Sequence, residues 1–302
     1  MIEPFRMFDV RVNRLARLSP AFLRVTFEGE DLHHFADNGF DQRIKLILPV
    51  DGHGLEHLPS GPDWFPRWRG LPDALRNPIR TYTARLVRPE AREVDVDVVL
   101  HGHGDGPVAR WAADVRPGAV AVLLGPDARH DGPHGGLEFH PPADTGAVLI
   151  AGDETAVPAI CSILERLPAG YQGEALMEVP CADDFLPVET ASGVKVTWLA
   201  RADEERGALL VPAVRAAADR LLPPLPTPDS FQDIDFKEVD VDVEELWEVP
   251  EEAPYGPLYA WLAGEAAVIR SLRRHLVAER GMDKRAVAFM GYWRLGRAEH
   301  NE

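Results

Sequence analysis

A short stretch in the first third of the chain combines residue types that suit a flat, phosphorylated ligand. Residues 80–85 read Arg-Thr-Tyr-Thr-Ala-Arg. In a β-strand, Arg80 and Tyr82 lie on one face, and Thr81, Thr83 and Arg85 lie on the other. A guanidinium can pair with a phosphate through two hydrogen bonds, and a phenol ring can lie flat on a flavin. The alternative is an ordinary surface strand of β-forming residues.

A second candidate is the glycine-rich stretch at residues 101–112, which reads His-Gly-His-Gly-Asp-Gly-Pro-Val-Ala-Arg-Trp-Ala. It is predicted to lead from a strand into a short helix. The N–H groups at the start of that helix can hold a pyrophosphate, and the glycines let the backbone approach it. A plain strand–turn–helix connection is the alternative. We interpret His101 and His103 as incidental and predict no metal site.

A third candidate, residues 152–160, follows a continuous apolar strand and opens a predicted helix. Asp153, Glu154 and Thr155 therefore stand where open α/β sheets bind ligands, at the carboxyl end of a strand. The dinucleotide fingerprint Gly-x-Gly-x-x-Gly is absent from this stretch. A nicotinamide site is therefore only one interpretation of these residues.

The elements that position the first two candidates are predicted to be β-strands. Residues 1–142 contain short alternating segments separated by Gly/Pro turns, a pattern typical of a small barrel. The predicted strands are 8–16, 21–27, 43–49, 93–100 and 119–124. Residues 51–78, rich in Gly, Pro, His and Trp, are predicted to be a long surface excursion over the barrel.

Residues 143–302 instead alternate between strands and helices, which predicts a parallel sheet covered on both faces. The predicted strands are 146–151, 174–179, 194–199, 258–263 and 286–290, and the predicted helices are 155–167, 207–222 and 265–280. The domain boundary is expected near Pro141 and Pro142.

Charge is concentrated in one segment. Residues 229–252 contain eleven acidic residues and one basic residue, Lys237, which together supply ten of the chain's seventeen net negative charges. We interpret residues 223–256 as an acidic surface insertion, either an added hairpin or an arm. The net charge argues against a nucleic-acid surface.

The rest of the composition indicates a cytoplasmic protein. We find no signal peptide and no apolar run long enough to span a bilayer, so no stable membrane association is expected. Cys161 and Cys181 lack metal-type spacing and are expected to be reduced thiols. The oligomeric state is not readable from the sequence, and we favour a monomer.

Five motifs, in order along the chain, resemble those of the siderophore-interacting proteins, relatives of ferredoxin–NADP reductase. Residues 80–85 are similar to the flavin-binding Arg-x-Tyr-Thr-x-Arg motif, and 101–112 to the FAD pyrophosphate loop. The other three are 152–156 (Gly-Asp-Glu-Thr-Ala), 261–266 (Trp-Leu-Ala-Gly-Glu-Ala) and 289–294 (Phe-Met-Gly-Tyr-Trp-Arg).

The resemblance implies a six-stranded FAD-binding β-barrel followed by a Rossmann-like α/β domain for NADPH or NADH. It implies that Arg80 holds FAD phosphate or ribityl oxygens, that Tyr82 stacks on the isoalloxazine, and that Thr83 lies near its reactive nitrogen. The remaining residues expected at the two cofactors are Thr81, Arg85, His101, Gly106, Pro107, Val108, Ala109, Asp153, Glu154, Thr155, Arg201 and Trp293. Arg201, after a predicted strand, could meet a 2′-phosphate, or be a helix-terminal arginine with no ligand.

The function implied is NAD(P)H-dependent reduction of iron in a siderophore, through FAD. Lys45 matches a basic position of the family, and Arg294 and Arg297 are further candidates for binding an anionic ferric siderophore; ordinary surface charges are the alternative. Two other functions stay open. One is a siderophore-binding flavoprotein with little turnover, and the other is a general flavin-dependent ferric reductase or electron transferase.

Overall fold

The computed structural model describes residues 2–100, 107–142, 145–223, 246–250, 256 and 258–296. The chain divides into two compact units, with the boundary between Leu137 and Glu138 rather than between 142 and 143. Tyr259 binds residues 138–140 to the second unit. Its hydroxyl donates to the Glu138 carbonyl oxygen (3.1 Å) and accepts from the His140 N–H (3.0 Å).

The first unit is built on a seven-stranded antiparallel sheet, in the order β4-β3-β7-β1-β2-β6-β5. The strands are β1 (Phe5–Arg17), β2 (Phe22–Glu28), β3 (Arg43–Ile47), β4 (Ile79–Thr83), β5 (Leu86–Arg88), β6 (Glu93–Val99) and β7 (Val120–Pro126). Alternate residues of β1 and β6, such as Phe8, Val10, Val94 and Val96, are buried together in one core. In β1 the buried residues recur at the predicted period of two, whereas β6 is buried on both faces and its period separates core valines from carboxylates.

The chain itself closes this sheet into a barrel. β4 and β5 lie at opposite edges of the sheet but are joined by only Ala84 and Arg85. The Ala84 N–H donates to the Gln42 carbonyl oxygen (2.9 Å), and the Arg85 N–H donates to the Asp95 carbonyl oxygen (2.9 Å). One bent strand therefore pairs with β3 on one side and β6 on the other. Counted as one strand, it gives the six-stranded barrel that was expected.

The segment between β3 and β4 is more than the surface excursion that was predicted. It contains helix α1 (Trp64–Arg69), whose Trp68 is fully buried and donates its indole N–H to the Asn77 carbonyl oxygen (3.0 Å). Trp68 forms a second apolar cluster with Ile47, Ile79 and Val122. The aromatic residues of this segment therefore pack on the outer side of β3, β4 and β7 and form a second apolar core there.

The second unit is a six-stranded sheet in the order β10-β9-β8-β12-β13-β11. Its strands are β8 (Ala147–Asp153), β9 (Gln172–Val179), β10 (Gly193–Ala200), β11 (Trp247–Glu248), β12 (Leu258–Glu265) and β13 (Val287–Trp293). All neighbouring pairs are parallel except β11 with β13. The predicted parallel sheet is thus confirmed, with an antiparallel edge that the sequence did not suggest.

In the described residues, three α-helices accompany this sheet: α3 (Val157–Arg166), α4 (Leu210–Leu221) and α5 (Ala266–Arg273). Residues of α4 and α5 share one apolar cluster with Leu149 and Ala151 of β8. The predicted helix 265–280 changes character part-way, because α5 continues as a π-helical turn over Arg274–Glu279. No helix in the described part of the chain is long and apolar enough to cross a bilayer.

Only the end of the acidic insertion is described. β11 belongs to it and pairs with β13, and Arg273 donates two hydrogen bonds to the Glu248 carboxylate (2.7 and 2.9 Å). The predictions for residues 224–245 and 251–255 lie outside the described residues.

Candidate functional site

Strand β4 presents Arg80 and Tyr82 on one face, as its period of two predicted. In the register with β3, Arg80 lies opposite Leu46 and Tyr82 opposite Ile44, both of which are buried in the barrel core. Tyr82 is half-buried and packs against that core. The Arg80 guanidinium donates to the Ile79 carbonyl oxygen (2.8 Å).

The predicted basic residue, Lys45, lies on the neighbouring strand β3, beside the other face of β4. Lys45 of β3 lies directly opposite Thr81, and its ammonium donates to the Thr81 hydroxyl (2.7 Å). Thr83 lies opposite Arg43 on this face and is buried. The residue expected to bind a siderophore and the strand expected to bind the flavin are therefore hydrogen-bonded neighbours.

Arg85 is buried at the corner between β4 and β5. Its Nε lies 3.7 Å from the Asp97 carboxylate, which also accepts two hydrogen bonds from Arg24 (2.7 and 2.8 Å). A guanidinium held in this way fixes the corner of the barrel. The expected support of the flavin site by Arg85 therefore fits a role in holding β4 in place.

Strand β6 carries a row of carboxylates on the face opposite to its core residues Val94 and Val96. Its members are Glu93, Asp95 and Asp97, at the period of two that places them on one side of the strand. Arg88 bridges the first two of them. Hydrogen bonds from Arg14 and then Arg88 lower the pKa of Glu93 to about 2. These acids belong to an ion-pair network that stabilises the barrel wall.

The described part of the predicted pyrophosphate loop is helix α2 (Pro107–Asp114). Val108 is buried in the barrel core, and Trp111 stacks on Phe27 with ring centroids 6.3 Å apart. The helix start is therefore anchored by side chains, while its first N–H groups have no partners within the helix. The Val108 side chain points inward, so a phosphate contact here would come from the backbone. His101 and Gly106 lie outside the described residues.

Together these groups fit FAD. A guanidinium and a phenol on one strand, a buried threonine hydroxyl and a helix N-terminus are the donor set that a ring system and a pyrophosphate require. Among the described residues, no group of three or more His, Cys, Asp or Glu side chains could hold a metal ion.

In the second unit, Asp153 joins the carboxyl ends of three strands. One carboxylate oxygen accepts from the Thr155 N–H (2.9 Å) and the Thr155 hydroxyl (2.5 Å). The other accepts from the Glu265 N–H (2.8 Å) and the Trp293 indole N–H (2.9 Å). Burial, and then the charge of Glu154, raises the pKa of Asp153 to about 6.

The next residue, Glu154, is 1% exposed and enclosed by arginines. Arg201 donates to both of its carboxylate oxygens (2.7 and 2.9 Å), and Arg206 donates to one of them (3.3 Å). Burial acts to raise the pKa of Glu154, but the hydrogen bonds and charge of Arg201, together with the charge of Arg206, outweigh it, so that pKa lies below its ordinary value.

This geometry changes what the acidic pair and Arg201 are expected to do. Asp153 and Glu154 were expected to face the nucleotide, but their oxygens are turned to groups of their own unit. Arg201 was a candidate for a 2′-phosphate contact, with a helix-terminal arginine without a ligand as the alternative; it is 7% exposed and donates two hydrogen bonds to Glu154. Half-buried residues at this end of the sheet include Thr155, Arg206 and Trp293.

Sequence reasoning missed two carboxylates that cap helices at this end. Glu178 accepts from the N–H groups of Gly207, Leu209 and Leu210 (2.8, 3.1 and 2.8 Å) before α4. Glu265 accepts from the first N–H groups of α5. The sequence did contain a signal for Glu178, because it is the single acidic residue in the apolar run 175–179. Of the predicted basic residues near the C-terminus, Arg294 is half-buried directly after β13, and Arg297 lies outside the described residues.

Comparison with known proteins gives two matches that together span most of the chain. Residues 145–296 match the family described as Siderophore-interacting protein, and residues 11–130 match the Siderophore-interacting FAD-binding domain. The barrel unit and the α/β unit thus correspond to the two parts of one family.

Individual relatives cover nearly the whole chain. An uncharacterized protein of Mycobacterium tuberculosis is 34% identical, with 98% of this chain and 93% of the relative aligned. The ferric vibriobactin reductase of Vibrio cholerae is 28% identical over 93% of this chain and 87% of the relative. The crystal structure of a siderophore utilization protein from T. fusca superposes with a TM-score of 0.71 at 27% identity, covering 100% of this chain and 97% of that one. With its two units, its five ordered motifs and these matches, the chain belongs to the siderophore-interacting protein family.

Proposed function

We propose that this protein reduces ferric siderophores in the cytoplasm at the expense of NAD(P)H. The observation that carries the proposal is the hydrogen bond from Lys45 of β3 to Thr81 of β4 (2.7 Å), which puts a cation beside the strand that carries Arg80 and Tyr82, on the opposite face of that strand. The V. cholerae relative, named as a ferric vibriobactin reductase, supports the same reaction.

In the first unit, the residues of β4 bind and orient the cofactor. Arg80 would pair with phosphate or ribityl oxygens of FAD, Tyr82 would stack on its ring system, and Thr83 would be the candidate hydrogen-bond partner of a ring nitrogen. The N–H groups at the start of α2 receive the pyrophosphate. Bound FAD supplies the conversion of a two-electron donor into one-electron steps.

In the second unit, the carboxyl ends of β8 and β13 receive the nicotinamide nucleotide. Thr155 and Trp293 make contacts there, while Asp153 and Glu154 hold the ends of the strands. Because Arg201 is paired with Glu154, we do not base a preference for NADPH on it, and either nucleotide is a candidate donor.

The overall reaction is balanced with two iron chelates per nucleotide. One NAD(P)H and two Fe(III)–siderophores give NAD(P)⁺, one proton and two Fe(II) complexes. Ferrous iron binds hard oxygen ligands more weakly, so reduction loosens the chelate. No side chain needs to act as a general acid or base. Lys45 is the candidate contact for the negative charge of the siderophore, and Arg294 stays a separate prediction of its own unit.

The test is anaerobic turnover of a ferric siderophore with NADPH or NADH, followed by a coloured ferrous chelator. Lys45→Ala should lower kcat/KM for an anionic siderophore about tenfold and leave the flavin absorbance spectrum unchanged. Lys284→Ala, an exposed lysine of the second unit, is the matched control.

The outcomes separate the three functions. Saturable, chelate-selective rates support the proposal. Equal rates with unrelated ferric chelates would instead identify a general ferric reductase. Siderophore binding without NAD(P)H oxidation would identify a binding flavoprotein. A preparation that is colourless and takes up no FAD would contradict all three.

A further inference from the structure

The indole of Trp293 is held both at its edge and over its face. Its N–H donates to Asp153 (2.9 Å), and the Arg206 guanidinium carbon lies 4.8 Å from the ring centroid. Trp293 is the last residue of β13 and is half-buried. A ring at the end of a strand, fixed from two directions, has a defined orientation.

Both members of the acidic pair contribute to this arrangement. Asp153 reaches the indole directly, and Glu154 reaches it through Arg206, which it holds at 3.3 Å. Neither carboxylate is presented outward, since Asp153 is 5% exposed and Glu154 is 1% exposed. The two acids therefore act on Trp293 more directly than on any molecule outside the unit.

The backbone makes room for Asp153 at Gly264. This glycine has a φ of +151°, and a Cβ there would lie 2.7 Å from the Asp153 carboxylate. A side chain at position 264 would displace the carboxylate from the indole. The approach of Asp153 to Trp293 thus depends on a residue of β12 as well as on β8 and β13.

We propose that Asp153 is a positioning residue for the nicotinamide nucleotide, acting by fixing the indole of Trp293, which makes the contact itself. Glu154 assists through Arg206. This inference rests on the proposed function and deepens it, because it separates Trp293, which touches the nucleotide, from Asp153, Glu154 and Arg206, which place the indole.

A double-mutant cycle tests the inference in the FAD-loaded protein. The variants are Asp153→Asn, Trp293→Phe and their combination, and the readout is the Kd for NADP⁺ and for NAD⁺ by calorimetry. Trp293→Phe keeps a ring but removes the N–H. Each single change should weaken binding about tenfold. The double variant should be no weaker than either single variant, because both changes break the same link.

Asp283→Asn is the control for the loss of a carboxylate. Asp283 lies in the same unit and also accepts a backbone N–H, from Arg285 at 2.9 Å. Its substitution should leave both Kd values unchanged. Arg206→Gln, combined with Trp293→Phe, gives a second cycle if Asp153→Asn fails to fold, and non-additive losses of affinity are again expected.

Two results would overturn the inference by itself. One is a hundredfold loss in the double variant, which would show that the residues act independently. The other is a lower Tm for Asp153→Asn with an unchanged Kd, which would make Asp153 purely structural. If the unaltered protein binds neither nucleotide, the proposed function fails first and the inference fails with it.

Discussion

At the residue scale, two carboxyl groups of this chain, one half-buried and one buried, have pKa values displaced in opposite directions. Glu93 is surrounded by guanidinium donors, and its pKa falls to about 2. Asp153 accepts mostly from uncharged N–H and O–H groups beside a second carboxylate, and burial raises its pKa to about 6. Burial without a cationic donor favours the protonated form of Asp153, whereas the guanidinium donors favour the ionised form of Glu93.

Glu93→Gln should weaken the barrel in a pH-dependent way. Because the folded-state pKa of Glu93 is depressed, its stabilisation is present above the unfolded pKa of 4.5 and is lost as pH falls towards about 2. We expect the free energy of unfolding to fall by about 1–2 kcal/mol at pH 7, a value that allows for solvent screening of the ion pairs, and by much less at pH 3. Urea unfolding at the two pH values measures it, with the exposed Glu90→Gln as control.

Arg201→Met should act on stability rather than on the choice of nucleotide. It leaves Glu154 buried with only the longer contact to Arg206, and breaking a buried ion pair costs about 3–5 kcal/mol. We expect a lower Tm and an unchanged ratio of kcat/KM for NADPH and NADH in stopped-flow flavin reduction. A selective loss of NADPH use at unchanged Tm would restore the 2′-phosphate role.

At the element scale, the strands of the second unit approach one another closely at glycines. Gly173 of β9 has a φ of +136°, and a Cβ there would overlap the Val148 carbonyl oxygen of β8. The pairing of these two parallel strands therefore needs a residue without a side chain at this position.

Gly173→Ala should consequently lower the free energy of unfolding by at least about 2 kcal/mol, from backbone strain and steric overlap. Gly170→Ala is the matched control, because a Cβ at Gly170 meets nothing within 4 Å. We expect that control to change stability by less than about 0.5 kcal/mol. Equal effects of the two substitutions in urea unfolding would contradict the close approach.

At the scale of the whole molecule, the two units have separate cores, and each should respond to its own ligand. FAD at a hundredfold excess over its Kd should stabilise the barrel unit by about 2.7 kcal/mol. In calorimetry, the transition that Glu93→Gln lowers should be the one that FAD raises. A nicotinamide nucleotide should raise the transition that Gly173→Ala lowers. A single transition that both ligands shift equally would show one cooperative block instead.

Local periodicity in the sequence was enough to predict many of the strands and helices and which strand residues share a face. The period of two placed Arg80 and Tyr82 on one face of β4, and the alternation of strands and helices predicted the parallel sheet. These features were accessible because burial on one face imposes its period on neighbouring residues. The same reasoning missed β5 and β11, which are too short to show a period, and the core around Trp68, which needs partners from β3, β4 and β7.

Only the tertiary structure decided which polar and charged side chains are in contact. Asp153 and Trp293 are distant in sequence, as are Glu154 and Arg201, and parallel pairing brings the ends of their elements together. The sequence could mark these residues as chemically capable but could not tell a ligand contact from an internal ion pair. That distinction depends on burial and on the donors within hydrogen-bond reach, and both arise from long-range packing rather than from local pattern.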